Sequence, residues 1–309
     1  MHDNMLIEQL RPGRNEVDEN MPYHFLHEQE PGLSGGIEEV NTIFLTGKEC
    51  VFKCLMCDLW KNTLPYSTPA GAIPRQVDYA LKRLPKANTI KLYNSSNFFD
   101  AKAVPAADYG DIIGCVQQYN RIIVENHPKL CNKTCVEFAA KLNGALEIAM
   151  GLETIHPAAV TKLNKQMTPA DFKKAAGFLR SNNIDVRAFV LLNPPYITGR
   201  EENIEWTFKA VKFAFESGAN RCVIIPVRAR NGIMETLQKQ GHFVPPALAM
   251  LEEVFEKSLG LQQGQVLADT WDIAFTSGCP YCFEARRQRL EWMNLEQKIY
   301  QPIACSCVH

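Results

Sequence analysis

The stretch from Thr42 to Cys57 reads TIFLTGKECVFKCLMC. Its first four residues are apolar or β-branched, as in a short buried strand, and a loop with three cysteines follows directly. Loops at the carboxyl ends of parallel strands are where α/β folds place their chemistry. The stretch therefore predicts a strand that presents three thiols at one edge of a parallel sheet.

Further runs of this strand-like kind recur along the chain, and helical patterns separate them. The runs lie at 42–45, 89–93, 121–125, 146–151, 186–192 and 222–227, and the helical patterns include 74–84, 172–179 and 206–215. Strands that alternate with helices imply right-handed crossovers and a parallel sheet buried on both faces. The fold class is therefore α/β, and six such units predict a partial (β/α)6 TIM-like barrel. An open doubly wound sheet uses the same unit and stays an alternative.

The pattern divides the chain into three parts. Residues 1–36 are rich in Pro, Gly, Asn and Glu, and they are predicted to form an irregular, solvated leader. Residues 37–232 are predicted to form the partial barrel. Residues 233–309 are predicted to be an extension with a helix at 245–259, one more strand within 266–275 and a cysteine-rich end.

Composition narrows the class of protein. The chain has 309 residues, a net charge of −1 and 46% hydrophobic residues, which excludes disordered, collagen-like and coiled-coil proteins. We find no signal-peptide core and no apolar run of about 18 residues, so we predict a cytoplasmic protein with no membrane partner. Thiols stay reduced in that compartment, so the 11 cysteines predict metal ligands or catalytic groups.

The first cysteine group is Cys50, Cys54 and Cys57, with C-x3-C-x2-C spacing. Three thiolates can bind three irons of a 4Fe-4S cluster, which leaves one iron open to an external ligand. A structural zinc site completed by a remote histidine is the alternative. Zinc knuckles usually use C-x2-C or C-x4-C pairs, so the cluster is favoured.

The second cysteine group comprises Cys279, Cys282, Cys305 and Cys307. Four thiolates in two close pairs suit a tetrahedral zinc site or a second iron–sulfur cluster. A closed structural zinc site is favoured, because the protein supplies all four ligands and metal binding would fold a tail with little core. An auxiliary cluster that relays electrons is the alternative.

The first cysteine motif, placed after the first strand of a six-unit βα array, resembles that of the radical S-adenosylmethionine (SAM) superfamily. The resemblance implies that SAM chelates the open iron and is reductively cleaved to start radical chemistry. It also implies an electron donor of the flavodoxin or ferredoxin type. No catalytic residue is assigned. The resemblance implies that Met56 lies against the adenine, and that Asn94 and Ser95 bind the SAM amino group. It also implies that Glu125 and Glu153 bind the ribose and methionine parts, and that Lys165 contacts SAM.

A finer resemblance rests on residues 146–154, 163–165 and 188–195 and on the terminal cysteine pattern. These segments are similar to the radical SAM subunits of archaeosine synthases and, more distantly, to elongator-type and methylthiotransferase-type enzymes. This implies lyase or rearrangement chemistry on a modified nucleobase or tRNA adduct, with a possible partner subunit. Radical chemistry on a small molecule, including 3-amino-3-carboxypropyl transfer, is an alternative. So is a non-enzymatic scaffold with zinc at both sites.

Overall fold

The computed structural model describes residues 4–307, which form one eight-stranded sheet with helices around it. The strands are β1 (His24–Pro31), β2 (Ile37–Phe44), β3 (Thr89–Tyr93), β4 (Arg121–Glu125), β5 (Ala145–Glu153), β6 (Asp185–Leu192), β7 (Arg221–Pro226) and β8 (Gln265–Ala268). The helices are α1 (Asn4–Gln9), α2 (Ala72–Leu81), α3 (Tyr109–Val116), α4 (Lys133–Ala139), α5 (Pro157–Val160), α6 (Pro169–Ser181), α7 (Arg200–Glu216), α8 (Ile233–Lys239), α9 (Leu248–Leu259) and α10 (Pro280–Glu296).

The strands lie in chain order across the sheet, from β1 to β8. All neighbours from β2 to β8 are parallel, and β1 is antiparallel to β2. This confirms the α/β class and the partial TIM-like barrel with a cysteine group in its C-terminal extension. Every helix within residues 4–307 is too short or too polar to cross a lipid bilayer.

Local sequence explains the helix boundaries, as α6 illustrates. The Thr168 hydroxyl accepts from the backbone N–H of Asp171 at 3.2 Å, and the Asp171 carboxylate accepts from the backbone N–H of Thr168 at 2.8 Å. Pro169 occupies the first helical position, where its missing N–H costs nothing. Phe172, Ala176 and Leu179 are buried on the face toward the sheet.

One expectation from the sequence is wrong. The leader is not irregular, because it contains α1 and the whole of β1, and Gly35 and Gly36 turn the chain into β2 with φ of 95° and 78°. The further strand expected within 266–275 is present but short, at Gln265–Ala268, and a 3-10 turn follows at Ile273–Thr276. The boundaries of the three parts stay predictions.

A buried ionic network fills the barrel near the amino ends of its parallel strands. Glu30 of β1 accepts two hydrogen bonds from the Arg187 guanidinium, at 2.8 and 2.9 Å, and lies 2.6 Å from the Lys91 ammonium. Arg187 also donates to Glu147 at 2.6 Å. Burial alone would raise the pKa of Glu30, but Arg187 and Lys91 hold that pKa well below its usual range. The paired side chains thus occupy the interior of the barrel at the amino ends of its strands.

Helix α10 covers the open edge of β8 with two carboxamides. Asn294 accepts from the backbone N–H of Ala268 and donates to its carbonyl, at 2.8 and 2.9 Å. Gln297 makes the same pair of bonds to Val266, at 2.9 and 2.8 Å. The two side chains satisfy backbone groups that a ninth strand would otherwise pair. Because α10 also packs against β1, it bridges the first and last strands.

Candidate metal and cofactor centre

The cysteine loop between β2 and α2 is held by the loops that follow other strands. The backbone N–H of Leu55 donates to the carbonyl of Leu163, beyond β5, at 2.9 Å. Asn231, beyond β7, donates to the carbonyls of Leu55 and Cys57 at 2.8 and 3.0 Å. Two other strand-end loops therefore hold the backbone of the cysteine loop at Leu55 and Cys57.

Cys50 has a hydrogen-bond donor that the sequence analysis missed. The Nδ2 atom of Asn97 lies 3.1 Å from the Cys50 sulfur. Its Oδ1 atom accepts from the backbone N–H of His127 at 2.7 Å, and this contact assigns the orientation of the amide. Asn97 follows β3 by four residues, so its position at a strand end was the available signal.

His127 is a second neighbour of the loop that was not predicted. Its ring stacks on Phe52 with a centroid distance of 3.7 Å. Nδ1 accepts from the backbone N–H of Lys129 at 3.2 Å, so the proton lies on Nε2, which donates to the carbonyl of Lys165 at 3.1 Å. Burial, helped by the Lys165 ammonium, lowers the pKa of His127 to about 3. The ring is neutral, and both its nitrogens are occupied.

Asn94, Ser95 and Glu125, which were predicted to bind different parts of SAM, lie in contact with one another. The Glu125 Oε1 atom accepts from the backbone N–H groups of Asn94 and Ser95 at 2.8 and 2.7 Å. Ser95 has a φ of 53°, and this left-handed turn directs both donors at the carboxylate. Burial nevertheless raises the pKa of Glu125 to about 7. Asn94 is fully buried, and neither its Oδ1 nor its Nδ2 has a hydrogen-bond partner.

Glu153 and Lys165 also meet, in a buried ion pair. Burial alone would lower the pKa of Lys165, but the Glu153 carboxylate and the Cys54 thiol raise it, so the ammonium is charged beside the cysteine loop. Glu153 has a φ of 65° and lies at a register shift of β5. A side chain at Gly151 would clash with the carboxylate and the ammonium, so the pair depends on this glycine.

Cys54 and Cys57 lie in a low-dielectric setting. Burial raises the pKa of the Cys54 thiol to about 12, and it raises the pKa of Cys57 as well. Such thiols become thiolates when a metal compensates their charge. Met56, between them, is half-buried against an apolar cluster that includes Leu191 and Val227, at the carboxyl ends of β6 and β7.

The four C-terminal cysteines form a compact group. In residues 4–307, they are the one set of three or more His, Cys, Asp or Glu residues whose ligand atoms all lie within 4.8 Å of one another. Hydrogen bonds from the backbone N–H groups of Cys282 and Tyr281, at the start of α10, lower the pKa of Cys279 to about 7.

The structure thus brings Asn94 and Ser95 to Glu125, and it pairs Glu153 with Lys165. It also brings the four C-terminal cysteines together. The roles assigned to Met56, Asn94, Ser95, Glu125, Glu153 and Lys165 and to both cysteine groups stay predictions.

The chain is similar in sequence to archaeal proteins, and no family model matches it. It is 23% identical to an uncharacterized protein of Methanocaldococcus jannaschii, over 95% of this chain and 87% of the relative. It is 23% identical to archaeosine synthase subunit beta of Methanosarcina acetivorans, over 66% of this chain and 61% of the relative. For the Thermococcus kodakarensis subunit beta, identity is 25% over 48% of each chain. The chain therefore matches less than two thirds of the two named subunits.

Solved structures give matches of low identity. SuiB of Streptococcus suis bound to S-adenosylmethionine has a TM-score of 0.49 at 15% identity, over 74% of this chain and 46% of SuiB. Methylornithine synthase PylB has a TM-score of 0.46 at 13% identity, over 84% and 83%. The radical SAM methyltransferase TsrM of Kitasatospora setae, with cobalamin and a [4Fe-4S] cluster, has a TM-score of 0.43 at 13% identity, over 63% and 39%. The resemblance to radical SAM enzymes and archaeosine synthase beta subunits is confirmed as a similarity at low identity.

Proposed function

We propose that this protein is a radical SAM enzyme whose 4Fe-4S cluster is bound by Cys50, Cys54 and Cys57. The observation that carries the proposal is the donor set itself. Three thiols lie on one loop at the carboxyl end of the barrel, and Asn97 donates to one of their sulfurs. Three thiolates can each bind a different iron of a 4Fe-4S cluster and leave the fourth iron open to an external ligand. When bound, the cluster and SAM supply one-electron reductive cleavage of the sulfonium.

The surrounding residues suit a polar cofactor. The Lys165 ammonium, held by Glu153, lies close enough to Cys54 and Cys50 to stabilise negative charge on their sulfurs. Asn94 offers a buried donor and a buried acceptor that no protein group uses. A ligand with an amino and a carboxylate group would satisfy both, since buried polar atoms rarely lack partners. Glu125 would face that same ligand from the end of β4.

The lumen suggests the class of substrate. Tyr93 of β3 makes an edge contact with Phe189 of β6 at 6.4 Å, and Phe44 of β2 contacts Tyr93 at 6.2 Å. Since β3 and β6 are not neighbours in the sheet, the first contact crosses the lumen. Aromatic side chains of this kind suit a planar heterocycle.

With the archaeosine synthase names among the relatives, this lining supports lyase or rearrangement chemistry on a modified nucleobase or tRNA adduct. An electron donor of the flavodoxin or ferredoxin type and a partner subunit belong to the same proposal. A small planar metabolite is the second candidate, because the ionic network closes the opposite end of the barrel.

Anaerobic purification tests the proposal. The protein should be brown, contain about four irons from the first cysteine group and form 5′-deoxyadenosine when reduced in the presence of SAM. The Cys54→Ala variant should lose this iron and the cleavage of SAM. The Cys115→Ala variant, which changes a half-buried cysteine outside both groups, should keep both. Colourless protein that holds only zinc after anaerobic reconstitution would contradict the proposal.

Two product measurements refine it. A 3-amino-3-carboxypropyl product instead of 5′-deoxyadenosine would identify cleavage of a different C–S bond. Binding of tRNA that weakens steeply with salt would support the RNA substrate, because neutralised phosphates release counterions. Salt-independent turnover of a free modified nucleobase would support the small molecule.

A further inference from the structure

The four C-terminal thiols lie at distances that fit a single ion. The sulfurs of Cys305 and Cys307 are 3.2 Å apart, those of Cys282 and Cys307 are 3.3 Å apart, and those of Cys279 and Cys305 are 4.0 Å apart. Tetrahedral zinc with Zn–S bonds of about 2.3 Å requires its sulfurs to lie about 3.8 Å apart. The observed distances lie on both sides of that value.

The same distances argue against a second iron–sulfur cluster. In a 4Fe-4S cubane each thiolate binds a different iron, so the four sulfurs lie farther apart than they do around one ion. The observed sulfur distances of 3.2, 3.3 and 4.0 Å therefore favour a single ion.

The surroundings of the group suit a tetrathiolate site. One Zn²⁺ with four thiolates has a net charge of −2, which must be offset where the site is partly buried. Arg286 lies one turn beyond Cys282 and brings a positive charge near the group, while its guanidinium pairs with the Glu252 carboxylate. Tyr281 and Cys282 lie in the first turn of α10, where backbone N–H groups without helical partners favour a nearby anionic group.

We propose that Cys279, Cys282, Cys305 and Cys307 bind one Zn²⁺ as a closed structural site that ties the end of the chain to the start of α10. This inference goes beyond the proposed function and does not depend on it. The ion fills all four coordination positions with protein sulfur, so it takes no substrate and transfers no electron.

The placement of α10 explains what the site stabilises. The tail after α10 runs back along the helix, where Arg289 donates to the carbonyl of Gln301 at 2.8 Å. Asn294 of the same helix and Gln297, which directly follows it, complete the edge of β8. Zinc therefore closes a loop of chain around the helix that bridges β8 and β1. Loss of the ion should free the tail before the rest of the protein, because the tail would then be held to α10 chiefly by Arg289 and by the contact between Trp292 and Tyr300.

Metal analysis of the full-length protein tests the inference. Wild-type protein grown with both metals should contain one zinc per chain, and X-ray absorption at the zinc edge should show four sulfurs at about 2.3 Å. The Cys305→Ser/Cys307→Ser variant should lose the zinc and keep the iron of the first group, whereas Cys54→Ala should lose iron and keep the zinc. Cys115→Ser should keep both. These measurements on wild-type protein and on Cys54→Ala need no altered C-terminal ligand, so they remain decisive if the double variant does not fold.

A local readout separates this site from the cluster. Trypsin should cleave after Lys298 at least about tenfold faster in the double variant than in wild type, because the tail would open without unfolding the barrel. Iron lost from the double variant, with no zinc in wild type, would overturn the inference in favour of an auxiliary cluster. Wild-type protein with no metal and four titratable C-terminal thiols would overturn it as well.

Discussion

Asn97 joins Cys50 to the end of β4. Its amide donates to the Cys50 sulfur at 3.1 Å and accepts from the backbone N–H of His127 at 2.7 Å. The amide is buried, so water does not compete for either bond. One side chain thus sets both the position and the electrostatic environment of a predicted cluster ligand.

Replacing this donor should change the redox properties of the proposed cluster. Hydrogen bonds to cluster sulfurs stabilise the more negative, reduced state. The Asn97→Leu variant should therefore keep its iron and lower the midpoint potential by roughly 50 mV, which corresponds to about 1 kcal/mol for one electron. A redox titration followed by electron paramagnetic resonance measures this shift. Asn143→Leu, at an exposed site, is the matched control. An unchanged midpoint potential in a variant with full iron content would show that the Asn97 amide does not affect the reduced state of the cluster.

Glu125 should make the stability of the ligand-free protein depend on pH. Its raised pKa, about 7 against an ordinary 4.5, means that the folded protein keeps a proton that the unfolded chain releases. Its contribution is complete below pH 4.5 and is lost as the pH rises to 7. His127, with its pKa lowered to about 3, acts in the opposite direction, since it lowers stability as the pH falls below 6.5.

The Glu125→Gln variant isolates the first of these effects. Its free energy of unfolding should exceed that of wild type by an amount that grows between pH 4.5 and 7 and reaches about 2 kcal/mol. Urea unfolding at a series of pH values measures the difference. Glu137→Gln removes an exposed carboxylate and should give parallel curves. If Glu125→Gln also runs parallel to wild type, the carboxyl group is ionised throughout.

The sequence predicted the parallel strands because their residues follow a local rule. Strands buried on both faces are mostly apolar, so β3, β4 and β6 could be recognised one at a time although β3 contains Lys91 and β6 contains Arg187. The three thiols could be placed for the same reason, since they follow such a strand directly. The capping box at Thr168 is equally local.

What the sequence did not predict depends on distant partners. Strand β1 was assigned to an irregular leader because Glu28 and Glu30 make it look solvated, yet Glu30 faces Arg187, which lies 157 positions later in the chain. Asn97 and His127 contact the cysteine loop across strand ends, and neither has a local pattern of its own. The metal at each cysteine group stays a proposal, because spacing in the chain does not determine the distances between the sulfurs.

Gly151 should control the pair formed by Glu153 and Lys165. An alanine methyl at this position would occupy the space of the carboxylate and the ammonium. Gly151→Ala should therefore weaken SAM binding at least about tenfold while the barrel stays folded, because the clash is with two side chains rather than with the backbone. Equilibrium dialysis with SAM on cluster-loaded protein measures the loss.

Gly177→Ala is the matched control for that change. Gly177 lies within α6, and an alanine methyl there would meet no atom of another element within 4 Å. This substitution should leave SAM binding unchanged and stabilise the helix by about 0.5–1 kcal/mol. Equal loss of SAM binding in both variants would point to a general effect of glycine replacement rather than to the ion pair.

The ionic network at the amino end of the barrel should be the most sensitive to removal of one charge. Arg187 is almost fully buried and compensates both Glu30 and Glu147. Arg187→Met would leave two buried carboxylates with less positive charge, so we expect a loss of about 3–5 kcal/mol in the free energy of unfolding. Arg180→Met removes an arginine that pairs with Asp185 at the surface, and it should cost less than about 1 kcal/mol. Denaturant unfolding of both variants provides the comparison. Similar small losses would mean that Lys91 and Arg221 suffice to neutralise the two carboxylates, and that β1 is held in place chiefly by its pairing with β2.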